Sequence, residues 1–342
     1  MKAAVLRDVN EVCIEQLPDP SADEGEVVIR VRACGVCATD INMWRGTNDE
    51  GTFPFVPGHE WSGEIVEVGP RVEAFAVGDR VVGECTMACQ KCRNCRDGLP
   101  PEACLDSKLF GFAPDTPGAM SDYHKSPVKR LHKIPENVSY EEASLVEPIS
   151  VAYNGVWRTS GGVKPHDRVA VMGCGPIGMF AVLVCKAAGV PVIAIEPHPD
   201  RRKLAIRCGA QAALDPSAGE IVDELMDLTD GQGASLIIEC SGSDSGRASA
   251  LDIVAREGRI VLIGLGPRET VPMNLNKAVF RGAQILGSDG SSYYFATPLE
   301  LMSRQLVDFT KVITHRFSLA DIQEAFELGA RQAASSKITL VM

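Results

Sequence analysis

Six residues, Gly173-Cys174-Gly175-Pro176-Ile177-Gly178, stand between a short apolar run at 167–172 and a longer one at 177–188. The first run has the length of a buried strand and the second that of a helix, so the glycines mark a strand-to-helix turn. Glycine at the first, third and sixth places allows a tight turn, close approach of a pyrophosphate to the backbone, and close packing of helix on strand. Pro176 suits the first helical turn, where its missing N–H is not needed. The free amides and dipole of the helix then favour an anion at its N-terminus. Strand and helix patterns continue to alternate downstream: a strand at 192–195, helices at 200–208 and near 221–228, a strand at 236–239, a helix before Gly258 and a strand at 259–263. This rhythm predicts an α/β domain, a parallel sheet covered by helices on both faces.

Glu196 ends the strand after the glycine turn, 18 residues beyond Gly178. A carboxylate there would accept hydrogen bonds from both adenosine ribose hydroxyls and repel a 2′-phosphate, which favours NAD over NADP. Arg201 and Arg202 close by keep NADP open as the alternative. Ser241, Gly242 and Gly264 follow later strands of the sheet and are placed by topology at the nicotinamide end of the site.

The chain upstream of Ser139 has a different texture. At 25–33, Val27, Ile29, Val31 and Ala33 alternate with Val28, Arg30 and Arg32, the period of a half-buried strand, and short strands recur at 62–68 and 79–83. Ser139 and Glu142 then form a capping box opening a helix that runs through Glu147 and Pro148. The end of the chain leaves the strand–helix rhythm, with a helix after Ser318 and a strand at 337–342, and is expected to return to the first domain. The expected organisation is therefore one β-rich domain from residues 1–148 and 285–342, with the parallel-sheet domain at 149–284 inserted.

Cys89, Cys92, Cys95 and Cys104 read C-x2-C-x2-C-x8-C on a polar loop. Four thiolates close tetrahedrally on zinc and leave no open position, so this spacing predicts a structural site. Cys85 lies just upstream of the set. Cys13, Cys34, Cys174, Cys185, Cys208 and Cys240 sit in or beside apolar stretches and read as small buried residues. A wider constellation comprises Cys37 in GVCATD, His59 and Glu60 in PGHE, and Glu147 in VEPISVA. A catalytic zinc needs about three protein ligands and one exchangeable position, and thiolate, imidazole and carboxylate are suitable donors.

The bulk properties narrow the partners. A formal net charge of -11 with no basic cluster argues against nucleic acid. No apolar run reaches the ~20 residues of a membrane span, and the N-terminal stretch carries charges, so a cytoplasmic protein is expected. Repeats and low-complexity segments are absent from the sequence.

With GVCATD, PGHE, the four-cysteine lobe, VEPISVA and GCGPIG in this order, the whole chain resembles the zinc-dependent medium-chain dehydrogenase/reductase family. A carboxylate in place of a third zinc-binding cysteine makes it most similar to the sorbitol, other polyol and L-threonine dehydrogenase branch. The resemblance implies a GroES-like catalytic domain and an inserted Rossmann domain. It implies Cys37 and His59 as ligands of a catalytic zinc, with Glu60 and Glu147 competing for the remaining positions. It also implies Asp40 as the carboxylate that orients His59, and Thr39 as the hydroxyl that takes the substrate proton. Many members carry a histidine three residues beyond that hydroxyl; here it is Asn42, which leaves the end of the proton relay open. The spacing from Cys95 to Cys104 is also about one residue longer than the family pattern.

The implied reaction is hydride exchange between a secondary alcohol, such as a polyol or cyclitol, and NAD, giving the ketone. Oxidation of L-threonine or another amino alcohol is the alternative, and a silent relative that binds NAD and zinc without turnover is a third. A zinc-free quinone reductase of the same fold would have no use for Cys37, His59 or the four-cysteine lobe. Family members commonly assemble as dimers or tetramers through sheet edges, for which 259–265 and 284–287 are the candidate stretches. Met43, Trp44, Phe110 and the segment 287–294 are candidates for shaping the substrate pocket.

Overall fold

The computed structural model describes residues 1–48, 51–266, 270–291, 294–331 and 335–342. The chain divides into two units: Met1–Glu147, Ser292–Arg304 and Ile313–Met342 form one, and Pro148–Ser291 with Gln305–Val312 the other.

The second unit is built on six parallel strands in the order Ala212–Leu214, Val192–Ile195, Val169–Met172, Ala234–Glu239, Val254–Leu262 and Gln284–Gly287. In chain order this is 3-2-1-4-5-6, the doubly wound Rossmann arrangement, whose ligands bind beyond the carboxyl ends of the strands where the order reverses. The residues of Val169–Met172 and Val192–Ile195 are all buried, as strands covered on both faces require. Two expectations change here. Residues 285–291 belong to this unit because Gln284–Gly287 pairs with Val254–Leu262 as the last strand of the sheet, and residues 305–312 join it as Phe309 packs near Phe180. The stretch at 259–265 is not an edge, since strand Val254–Leu262 is paired on both sides; of the two candidate stretches only Gln284–Gly287 is an edge strand, the opposite edge of the sheet being Ala212–Leu214.

The first unit centres on a seven-stranded sheet, mostly antiparallel. Its long strand Glu26–Val36 pairs with Glu60–Val68, with Tyr123–Pro127 and with the C-terminal strand Lys337–Val341. Val27, Ile29 and Val31 of the alternating stretch are buried, together with Val28, while Arg30 faces out. The C-terminal strand brings Lys337 beside Glu60, although 276 positions separate the two in the chain. A lobe carrying the four cysteines follows strand Arg80–Gly83. Among the described residues no helix is long and apolar enough to cross a membrane.

Candidate metal centres and dinucleotide cradle

Cys37 caps the helix Ala38–Trp44 and donates its backbone N–H to Asp40 Oδ2 at 2.9 Å. The other carboxylate oxygen, Asp40 Oδ1, lies 3.6 Å from His59 Nδ1, with both side chains buried. With Nδ1 turned to Asp40, the lone pair left for a metal is on His59 Nε2, the usual way a carboxylate orients a ligating imidazole. His59 also packs against the Phe112 ring, centroids 5.4 Å apart. One ligand atom from each of Cys37, His59 and Glu60 lies within 4.8 Å of the others. Thr39 Oγ1 is 3.6 Å from Cys37 Sγ.

Glu60 opens strand Glu60–Val68 opposite Gly35, and its carboxylate forms a buried ion pair with Lys337. Lys337 Nζ also donates to the Val36 carbonyl at 3.0 Å. A Cβ at residue 35 would lie 2.1 Å from Glu60 Oε2 and 2.9 Å from Lys337 Cε, so only glycine leaves room for this pair. Gly35→Ala is therefore expected to push Glu60 aside and lower turnover by roughly 10- to 100-fold. Steady-state kinetics beside a thermal melt that moves by only a few degrees would check this.

Glu147, buried on helix Val146–Tyr153, stands outside the three-residue cluster and lies 3.8 Å from Cys85 Sγ. Its charge still reaches His59. Burial pushes His59 toward neutrality, but negative Asp40, Cys37 and Glu147 raise its pKa well above the ordinary histidine value. Burial and then Glu147 push the Cys85 thiol up to about 12, so it stays protonated. A buried pocket with this excess of negative groups, holding sulfur, nitrogen and oxygen donors together, fits a divalent zinc ion.

The second metal centre is local. Sulfur separations are 3.4 Å for Cys92–Cys95, and 3.9 Å for both Cys89–Cys95 and Cys92–Cys104. Zn–S bonds of about 2.3 Å at tetrahedral angles put sulfurs about 3.8 Å apart, so the four thiols are already spaced for zinc. Backbone N–H groups of Cys92, Cys89 and Asp106 donate to the sulfurs of Cys89 and Cys104. Such donation, led by the Leu105 amide, pulls Cys92 down to about 6, toward the thiolate that zinc requires.

In the second unit, the three glycines of the turn meet three different demands. Gly173 has φ +81°, and a Cβ there would lie 2.7 Å from Ser241. At Gly178 a Cβ would lie 1.9 Å from the Gly173 carbonyl, so glycine is needed for packing. Gly175, the N-cap of helix Pro176–Ala187, has nothing within 4 Å of its Cβ position. Among the described residues no protein atom requires glycine at 175; the open space above it fits the close approach of a pyrophosphate to the helix start, where Pro176 and Ile177 form the first turn. Glu196 is buried at the end of its strand and accepts from the Cys174 N–H at 2.7 Å and the His198 N–H at 3.0 Å. It is thus fixed beside the glycine turn. Arg202 is tied to Asp215 and to the Glu196 and Pro197 carbonyls, and Arg201 is its half-buried neighbour.

Ser241 and Gly264 follow the carboxyl ends of adjacent parallel strands. Ser241 abuts Gly173, and a Cβ at Gly264 would meet the Gly242 nitrogen at 2.3 Å. Buried Glu239 holds this turn by accepting from the Ser241 N–H, the Ser241 hydroxyl and the Gly242 N–H. Glu239, Lys337 and Gly35 were not singled out in the sequence. The signal for Glu239 was present, a carboxylate ending an otherwise apolar strand; for Lys337 and Gly35 it exists only once strands pair. Of the pocket candidates, Met43 and Trp44 are buried in the core, Trp44 edge-on to Phe326, and Phe110 is buried under the Arg130 guanidinium. Within 287–294, residues 292 and 293 lie outside the described residues. Asn42 is exposed. Cys34, Cys174, Cys185 and Cys208 are buried as expected, whereas Cys13, on the outer hairpin, and Cys240, after its strand, are half-buried.

Residues 23–136 match the model of the alcohol dehydrogenase GroES-like domain, and residues 176–304 that of the zinc-binding dehydrogenase. The chain is 33% identical to sorbitol dehydrogenase of Bacillus subtilis (strain 168), over 96% of this chain and 93% of that one. It is 34% identical to L-threonine 3-dehydrogenase of Pyrococcus horikoshii, over 94% and 93%. The crystal structure of 2R,3R-butanediol dehydrogenase from Bacillus subtilis superposes with a TM-score of 0.91 at 30% identity, covering 100% of this chain and 99% of that one. The chain belongs to the zinc-dependent medium-chain dehydrogenase family, with its GroES-like and Rossmann domains.

Proposed function

We propose that this protein is a zinc- and NAD-dependent dehydrogenase that oxidises a secondary alcohol of a polyol, cyclitol or similar compound to the ketone. The observation that carries this reading is the convergence of Cys37, His59 and Glu60 within 4.8 Å, in a chain that also holds a dinucleotide cradle. Cys37 and His59 would hold the catalytic zinc, with Glu60 and Glu147 sharing the remaining protein position. Held there, zinc would supply Lewis acidity toward an alcohol oxygen, and NAD would supply the hydride acceptor. Asp40 fixes the ring of His59, Lys337 pairs with Glu60 and positions its carboxylate, and Thr39, half-buried beside Cys37, takes the hydroxyl proton. Asn42 cannot titrate near neutral pH, so the relay beyond Thr39 runs through the cofactor ribose to water or through another residue. Cys89, Cys92, Cys95 and Cys104 would close on the structural zinc.

The cofactor is NAD, bound by Gly173, Gly175, Pro176, Ile177, Gly178 and Glu196, with Arg201 beside the adenosine and Ser241 and Gly264 toward the nicotinamide. Arg202 is engaged elsewhere, which disfavours a 2′-phosphate. Glu196→Ala is expected to lower kcat/KM with NAD roughly 100-fold, the loss of two charge-assisted hydrogen bonds, while NADP changes little. Kinetics with both cofactors test this, and an equal loss with each would contradict it.

The protein is further proposed to be cytoplasmic and to assemble as a dimer or tetramer. Val279 and Phe280 are more than three-quarters exposed, at 76% and 78%, on the helix preceding the free sheet edge, and Ile285 lies on that edge. Apolar surface of this kind favours association. The substrate class is tested by following NADH formation against polyols, cyclitols, L-threonine and simple secondary alcohols. Turnover of a polyol or cyclitol supports the reading; turnover of L-threonine alone assigns the chain to the amino-alcohol alternative, and NAD and zinc binding without turnover of any substrate to a silent relative.

A further inference from the structure

Residues Asn154–Thr159 form a π-helical turn continuing the helix Val146–Tyr153. Such turns weaken the regular hydrogen-bond ladder and recur at functional sites. This one is fastened to the turns that leave the last two parallel strands. Asn154, buried at 3% exposure, donates through Nδ2 to the carbonyls of Asp289 at 2.8 Å and Gly290 at 3.0 Å. Thr159 Oγ1 donates to Ser288 Oγ at 3.0 Å. A Cβ at Gly155 would lie 2.3 Å from Ile263 Cδ1 and 3.6 Å from Ser288 Oγ, so the helix is seated directly on both turns.

The segment 288–290 is thus held from two sides. The Ser288 N–H donates to the Leu262 carbonyl at 2.9 Å, and Gly290, with φ +77°, turns the chain so that two successive carbonyls converge on one amide. Two carbonyl oxygens brought together repel unless a donor lies between them, and the Asn154 amide is that donor. Its own Oδ1 is buried without a partner among the described residues. A buried amide oxygen left without a partner calls for an explanation beyond packing.

In a sheet with this strand order the first three strands serve the adenosine half of a dinucleotide and the second three the other half, beyond their carboxyl ends. The turns after Val254–Leu262 and Gln284–Gly287 belong to the second half. We propose that Asn154 is a positioning residue for the nicotinamide end of the cofactor, setting the peptide groups of 288–290 in the arrangement that receives the nicotinamide nucleotide. The inference rests on the NAD reading above.

The test compares two ligands in full-length, zinc-loaded protein: NADH, followed by fluorescence, and ADP-ribose, followed by calorimetry, which has the adenosine and both phosphates but no nicotinamide. Asn154→Asp keeps the shape but sets carboxylate oxygens against the two carbonyls. It is expected to weaken NADH about tenfold, the loss of a buried pair of hydrogen bonds, and to leave ADP-ribose within about twofold. Thr159→Val, a milder loosening of the same turn, is expected to weaken NADH about two- to threefold, again sparing ADP-ribose. Equal weakening of both ligands, or unchanged NADH binding, would overturn the inference while leaving the NAD reading standing. Failure of the wild-type protein to bind either ligand would overturn the NAD reading and this inference with it.

Discussion

Replacing Cys37 with serine is expected to lower kcat/KM for the alcohol at least about 10³-fold, because a hydroxyl is a far poorer zinc ligand than a thiolate and the Lewis acid supplies several kcal/mol to the reaction. The substitution separates chemistry from folding. Serine is a better helix N-cap than cysteine, so the helix Ala38–Trp44 retains its start, and the backbone bond from residue 37 to Asp40 involves no side chain of residue 37. The thermal midpoint should therefore hold within a few degrees while turnover collapses and bound zinc falls toward one per chain. His59→Ala is expected to match this loss of turnover, with a larger drop in stability because Asp40, fully buried, would lose the partner facing Oδ1. Retained turnover in Cys37→Ser with the metal fully bound would remove Cys37 from the site.

Cys92→Ser is expected to act in the opposite sense, on stability first. The lobe offers little apolar material of its own to bury, with Leu99, Leu105 and Leu109 all exposed. Its order therefore depends on the metal that four sulfurs enclose, and metal binding free energy becomes folding free energy in such a loop. The expected result is loss of one zinc per chain and a fall of roughly 10 °C in the thermal midpoint. Calorimetry with metal analysis reads both. Loss of activity at the onset of melting, with near-normal turnover well below it, is the pattern of a structural centre. A variant that keeps both its stability and its second zinc would show that the lobe needs fewer than four thiolates.

The two centres differ in how far the sequence could reveal them. The four-cysteine lobe and the glycine turn are built from contiguous residues, so spacing alone specifies their geometry: C-x2-C-x2-C-x8-C carries its own sulfur cluster, and Gly173 to Gly178 its own strand, turn and helix. Cys37, His59 and Glu147 are legible only as a set, because each alone is an ordinary buried or half-buried residue. Lys337 and Gly35 are silent in the sequence. Their importance arises when the C-terminal strand and Glu60–Val68 both pair with Glu26–Val36, which sets a lysine, a glutamate and a glycine against one another. Asn154 is silent for the same reason, since its two acceptors follow a strand more than 100 positions later.

The extent of the parallel sheet was also only partly legible. Alternation of strand and helix located four of its strands; Ala212–Leu214, only three residues long, was missed, and Gln284–Gly287 is short and largely exposed, as an edge strand is, and carries no periodic signal of its own. Glu196 and Glu239 show how a rule of burial can mislead and inform at once. Both are charged residues at the ends of apolar strands, and both are buried where backbone N–H groups of adjoining turns converge on them. A carboxylate in that position is a structural brace as well as a candidate ligand-binding group.

The most direct test of a zinc-dependent dehydrogenase is to strip the metal from the purified protein with a chelator, measure NADH formation with the best alcohol of the panel, and then restore zinc. The account predicts that turnover disappears with the metal and returns with zinc, while NADH binding to the stripped protein persists because its cradle lies in the other unit. Undiminished turnover in protein shown by metal analysis to contain no zinc would contradict it.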